Sequence, residues 1–289
     1  MRTVSTIAAA LTAAIVSAGL AAAPATAAPG QGPRGPHDPV PAGAKAHIDD
    51  DGLTIVTSSG DGGGSIAFYR ARPGSAGGLG VLRSLQAKGI VSNSLSVTSE
   101  SAGVTAAAAP PSGGMNPTEC GSGYGVAKFW ATSSSCVTKV RWAWNGFADP
   151  QIYFRDHTPS AWPVKAAVTT WNQAIGVDSY WTGGSCPGGG RHCVEVWNAW
   201  YDTDWLGYTY VQYGSNGYFI DGKVAVFLND NNLEGYNRMT TCHELGHALG
   251  LGHNSSYSSP SCLWDSASGG NYQTPSPNDF STLRVVIYP

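Results

Sequence analysis

The stretch His243-Glu-Leu-Gly-His-Ala-Leu-Gly-Leu-Gly-His253 gathers three of the chain's seven His and one of its five Glu into eleven residues. On a helix, His243 and His247 lie one turn apart and face the same way. Two imidazoles at that spacing can share one Zn²⁺ at about 2.0–2.1 Å. Glu244 is rotated off the metal and can reach a water that the metal activates. Gly250 falls where the helix must stop, since glycine takes the left-handed conformation that turns a chain. That turn would return His253 as a third neutral nitrogen ligand. Three His leave the fourth tetrahedral position open, which distinguishes a catalytic zinc site from a closed structural one. The chemistry expected is hydrolysis: the metal polarises a carbonyl, water attacks it, and Glu244 carries the proton to the leaving amine. A zinc held only for structure has no use for Glu244.

Such a site needs a helix for the first two His and a scaffold to hold it. The pattern predicts that helix over 233–249. Another is expected over 160–175, where Pro163 suits the first turn and Val164, Val168, Trp171 and Ile175 recur at helical spacings. Strand candidates at 193–197, 206–213 and 223–229 lie between the two, and a last helix is expected over 277–287. Residues 137–145 alternate Val140, Trp142 and Trp144 with Lys139, Arg141 and Asn145, the pattern of a half-buried strand. Helices interleaved with short strands give an α+β fold around a mixed sheet.

The 289 residues are unevenly composed. All ten Trp, all six Cys and twelve of the thirteen Tyr lie at or after position 120, so the packed domain is expected over 117–289. At the other end, Met1-Arg2, an uncharged apolar run over 7–23 and Ala25-Thr-Ala27 read as a signal peptide over 1–27. The run is short of the roughly 20 apolar residues that span a bilayer. The chain is therefore read as secreted and its cysteines as disulfides. Residues 28–47, rich in Pro and Gly, are expected to be disordered. Strand-like runs at 53–57 and 65–69, a helix over 79–88 and a linker over 106–116 (AAAAPPSGGMN) follow. The whole of 28–116 reads as a pro-segment and linker, with a low-complexity spacer as the alternative. A net charge of −3 and a pI near 6.1 leave no basic footprint for nucleic acid or an anionic membrane. The expected partner is a protein or peptide substrate, and the chain is expected to be a monomer.

The motif resembles the signature of the metzincin superfamily of zinc peptidases, HExxHxxGxxH, at every specified position. The resemblance extends less specifically over 117–289, and 276–289 looks like the final helix of matrixin-like members. It implies a twisted mixed sheet of about five strands, a first helix packed on it, the zinc helix and a C-terminal helix. The strand at 206–213 would be the cleft-lining edge, pairing with extended substrate through main-chain hydrogen bonds. The function implied is a secreted zinc endopeptidase made as a zymogen, with one zinc on His243, His247 and His253 and Glu244 as general base.

In one respect the sequence departs from that family. Metzincins carry a Met-turn beneath the zinc, and this chain has no Met after Met239. The corresponding turn would be 260–265, with Leu263 or Trp264 in the methionine's place. The implied fold brings Cys262 near Cys242, and the preferred pairing is Cys120–Cys136, Cys186–Cys193 and Cys242–Cys262. Residues 28–119 hold no Cys that could block the metal. His157 and His192 are read as surface residues. Asp202, Asp204, Asp221 and Asp230 match no EF-hand loop, which leaves Ca²⁺ unsupported. The alternative function is a non-catalytic exported binding protein that keeps a metzincin-like zinc fold.

Overall fold

The computed structural model describes residues 35–48, 52–99, 127–129, 140–232, 235–254, 260–264 and 272–289. The signal-peptide and linker assignments and the Cys120–Cys136 pairing lie outside these residues. Along the chain run β1 (Lys45–Ile48), β2 (Gly52–Ser58), β3 (Gly64–Ala71), α1 (Gly77–Ala87), β4 (Ser96–Ser99) and β5 (Ala127–Phe129). Then come β6 (Gln151–Asp156), α2 (Val164–Trp171), β7 (Asp178–Thr182), β8 (His192–Ala199), β9 (Trp205–Tyr213) and β10 (Ala225–Asn229). The last elements are α3 (Asn237–Ala248), β11 (Leu251–Asn254) and α4 (Pro277–Thr282), which continues into a π-helical turn, Leu283–Ile287.

The fold is mixed α+β. Among the described residues one sheet has nine strands, in the order β4-β1-β2-β3-β9-β10-β8-β6-β7, and β5 pairs separately with β11. The sheet is larger than the five or so strands expected, and β6 to β10 supply five of its nine. The other four come from 45–99, which is neither unstructured nor apart. Residues 35–47, expected to be disordered, are ordered as well: Val40 donates its N–H to Ile90 O at 2.8 Å, and β1 begins at Lys45.

The two faces of the sheet carry different cores. β10 is buried at every position, as a central strand covered on both faces must be. On one face, α2 and α3 pack over Val194, Val196, Val211, Val226 and Leu228. α2 turns Val164, Ala167, Val168 and Trp171 inward at helical spacing. On the other face, α1 lies over β2 and β3, and its Val81, Leu82 and Leu85 join Leu53, Ile55 and Tyr69. Tyr208, Tyr210 and Phe227, from β9 and β10, belong to this second core. The N-terminal strands and the C-terminal domain therefore share a hydrophobic core as well as a sheet.

Three further expectations about the elements need correcting. The helix expected over 160–175 ends at Trp171, and Ile175 is exposed. There Asn172 caps the helix, and its side chain accepts the N–H of Ser179 at 2.8 Å, committing the chain to β7. The part of 137–145 that is described is not a strand, since Arg141 makes only an isolated bridge to Tyr218. Its alternation still follows burial: Val140 and Trp142 point into the core and Arg141 is half-exposed. Finally, β9 is not an edge, because β3 pairs antiparallel along it from Gly64↔Tyr213 to Ala71↔Trp205.

Candidate metal centre

α3 is buried along Met239–Ala248, so its His carry no competing solvent contacts. Its carbonyls are held by aromatic side chains from around it. Trp171 Nε1 donates to Cys242 O and Trp142 Nε1 to Ala248 O, both at 2.9 Å, and the Tyr288 hydroxyl donates to Leu249 O at 3.0 Å. The last two supply donors that a helix C-terminus otherwise lacks. Gly250 has φ +101°, and a Cβ there would stand 2.9 Å from Val140 O, so only glycine fits the turn. The chain then enters β11, which carries His253 back.

His243, His247 and His253 bring one potential ligand atom each within 4.8 Å of one another, and no other such group of three or more occurs among the described residues. The Nε2 atoms of His243 and His247 are 2.9 Å apart. Each Nδ1 faces a backbone carbonyl at 2.8 Å, Cys262 O for His243 and Leu251 O for His247. At His247 a proton on Nδ1, donated to Leu251 O, leaves the Nε2 lone pair for a metal, the arrangement that orients metal-binding imidazoles. Burial pushes both imidazoles well below the ordinary histidine range, helped at His243 by the Arg70 charge and at His247 by His253. They are neutral near pH 7, as ligands must be. This donor set fits one metal ion.

Glu244 lies against β9. Its Oε2 accepts the Thr209 hydroxyl at 2.5 Å, and its backbone O lies 3.0 Å from the same hydroxyl. Gly207, two residues earlier, leaves the room the carboxylate fills, since a Cβ there would stand 2.4 Å from Oε1. Both Thr209 and Gly207 escaped the sequence reading, because neither is near the motif in the chain.

β3 covers the centre. The Phe68 ring stacks on His247, centroids 4.2 Å apart and 8° from parallel, with its edge toward His253 at 6.4 Å. Arg70 Nη1 lies 2.6 Å from His243 Nδ1 and donates to Trp264 O at 3.1 Å. The three His are 0–1 % exposed as a result. Phe68 and Arg70 also went unrecognised: only the pairing of β3 with β9 brings them here.

Cys242–Cys262 and Cys186–Cys193 are disulfides, as expected, and such bonds fit an oxidising compartment. The first ties α3 to the turn holding Leu263 and Trp264. Leu263 packs on α3, its Cδ2 2.9 Å from where a Cβ of Gly246 would stand, while Trp264 faces Tyr272 at 5.2 Å. His157 and His192 stay away from the centre. His157 is half-buried and stacks on Trp197 at 3.6 Å. His192 is not a surface residue: its ring lies on Trp142 at 4.5 Å and its Nδ1 is 2.9 Å from Asp221. Asp202 pairs with Lys88 at 3.2 Å, and Asp230 accepts from Trp162 and Asn198 at 2.8 and 2.6 Å. No described helix is long and apolar enough to cross a membrane. Against known proteins, the chain matches no family model and no curated sequence.

Proposed function

We propose that the chain is a secreted, zinc-dependent endopeptidase of metzincin type, with zinc on His243, His247 and His253 and Glu244 as general base. The observation that carries this is the convergence of three buried imidazoles beside a carboxylate held on β9. The order of β6 to β10, α2, α3 and the C-terminal helix supports it, being the order the motif's family implies. A bound zinc supplies a Lewis acid that polarises the scissile carbonyl and acidifies water. Glu244 accepts the water's proton and passes it to the leaving amine. Thr209 fixes one carboxylate oxygen, and Gly207 leaves space for the other. In the absence of methionine, Leu263 is the better candidate to brace the zinc helix, since it packs on α3.

The buried centre favours a zymogen in which residues 28–116 must be displaced before substrate enters. The same burial is the one feature that favours the second reading, a non-catalytic zinc-binding protein. The deciding experiment is casein hydrolysis after proteolytic removal of the N-terminal segment, with and without a chelator. Chelator-sensitive hydrolysis that Glu244→Gln abolishes supports the peptidase. Zinc at one per chain with no hydrolysis in any form would favour the binding protein.

A further inference from the structure

β3 brings a cation to the metal centre. Arg70 lies opposite Gly207 in the register of β3 and β9 and is 3 % exposed. Side chains alternate across a strand, so Arg70 shares the α3-facing side with Phe68, while Tyr69 between them belongs to the core under α1. The guanidinium is fixed from two sides. Nη1 donates to Trp264 O at 3.1 Å, and Nη2 to Met239 Sδ on α3 at 3.6 Å. Nη1 also lies 2.6 Å from His243 Nδ1.

Two neighbours therefore make opposite demands on one nitrogen. A guanidinium has donors only, so against Arg70 the His243 Nδ1 must accept. A carbonyl has lone pairs only, so against Cys262 O, 2.8 Å away, the same Nδ1 must carry a proton. A ring nitrogen of a neutral imidazole does one or the other. If Nδ1 accepts, the proton sits on Nε2, which faces His247 Nε2 at 2.9 Å. The donors then run in one direction, from Arg70 through His243 and His247 to Leu251 O. If Nδ1 donates to Cys262 O, Nε2 keeps the lone pair that a metal needs. Passing from the first arrangement to the second moves one proton from Nε2 to Nδ1 and changes no net charge.

We infer that Arg70 withholds His243 from the metal: while β3 lies on the centre the imidazole is kept as its Nε2–H tautomer, and zinc binds tightly only after Arg70 has left. This rests on the three imidazoles being a metal site and is independent of peptide hydrolysis. The N-terminal segment acts here on a ligand and places no ligand of its own on the ion. The charge of Arg70 works in the same direction, since it weighs against further positive charge on His243. Displacing β3 gives Nδ1 to Cys262 O, which the Cys242–Cys262 disulfide holds beside α3. Metal loading follows displacement of the segment and does not precede it.

The test measures the zinc affinity of the full chain by competition with a chromogenic chelator. Arg70→Met keeps an apolar stem and removes the donors and the charge. It is expected to bind zinc roughly tenfold or more tightly than the parent, the scale on which partners of a metal-binding imidazole act. Ile66→Ala loosens the same strand from the same core and should stay within about threefold of the parent. A purely orienting Arg70 would give the opposite sign, with weaker zinc in Arg70→Met. Weaker or unchanged affinity there, or an equal gain in Ile66→Ala, overturns the inference. A second measurement needs no variant to fold. With isotope-labelled histidine and the metal stripped by chelator, long-range proton–nitrogen spectra of the parent should show His243 protonated at Nε2 and His247 at Nδ1. Nδ1–H on both rings overturns the inference. Zinc bound by no form, with Nε2–H on His243, would sink the metal reading and leave Arg70's hold on the ring standing. Tight zinc in the parent, with Nδ1–H on His243, would do the reverse.

Discussion

Glu244 touches Thr209 twice and has no room to move toward β9, so its substitutions isolate chemistry from architecture. Once the N-terminal segment is removed, Glu244→Gln should keep about one zinc per chain and lose nearly all casein hydrolysis. Zinc analysis beside an activity assay checks this, and undiminished turnover would take Glu244 out of the mechanism. His253→Ala should instead lower zinc retention. At Leu263, fully buried against α3, truncation to Ala should cost roughly 2–5 kcal/mol. Leu263→Met should cost under about 1.5 kcal/mol, because the volume is kept. Thermal unfolding reads both. The ligands were legible in sequence because spacing within one helix and one turn determines where they point. Thr209, Phe68 and Arg70 were not. They meet α3 only across strand pairings, at sequence separations from 35 for Thr209 and Glu244 to 179 for Phe68 and His247, and no local pattern marks such a contact.

Among the elements, α4 starts on a reciprocal cap. The Ser276 side chain accepts from Asp279 N at 3.2 Å, and the Asp279 carboxylate accepts from Ser276 N at 2.6 Å and from the Ser261 hydroxyl. Burial raises the Asp279 carboxyl above its ordinary value of 3.8 despite those bonds. The fold thus favours the protonated form. Its contribution is fully present below the unfolded value and is lost as pH rises through the folded one. Melting temperature followed upward from about pH 4 should fall more in the parent than in Asp279→Asn, which keeps an acceptor and does not ionise. Parallel curves would show that Asp279 carries no such linkage. Cys262→Ser, by breaking the tie between α3 and the Leu263 turn, should lower stability by about 2–4 kcal/mol and loosen zinc. The helices were legible in outline from apolar spacing, though the extent of α2 was not, because Ile175 continues the periodicity beyond the Asn172 cap. β6 and β7 escaped notice. They are short and half-buried on one face, and so resemble ordinary loop sequence flanked by Pro and Gly.

At the scale of the molecule, composition placed the packed domain after position 117 because the aromatics are there. That measure missed a folded segment that borrows aromatics from its neighbour: Val81, Leu82 and Leu85 of α1 are buried in one core with Trp205, Tyr208, Tyr210 and Phe227. If the segment is a pro-segment, the secreted mature chain should begin within about 106–119, which intact mass or N-terminal sequencing would establish. An active product that still carries 28–105 would mean that the segment is no removable inhibitor. The shared core has a further consequence for how maturation would proceed. A cut in the linker severs the covalent connection but leaves the nine-stranded sheet and the common aromatic core intact, so the two pieces should stay together as a split protein does. Release then needs a second event, either unfolding of the smaller piece or its digestion. Activity should accordingly lag behind cleavage, and size-exclusion chromatography during the lag should show both fragments eluting as one species.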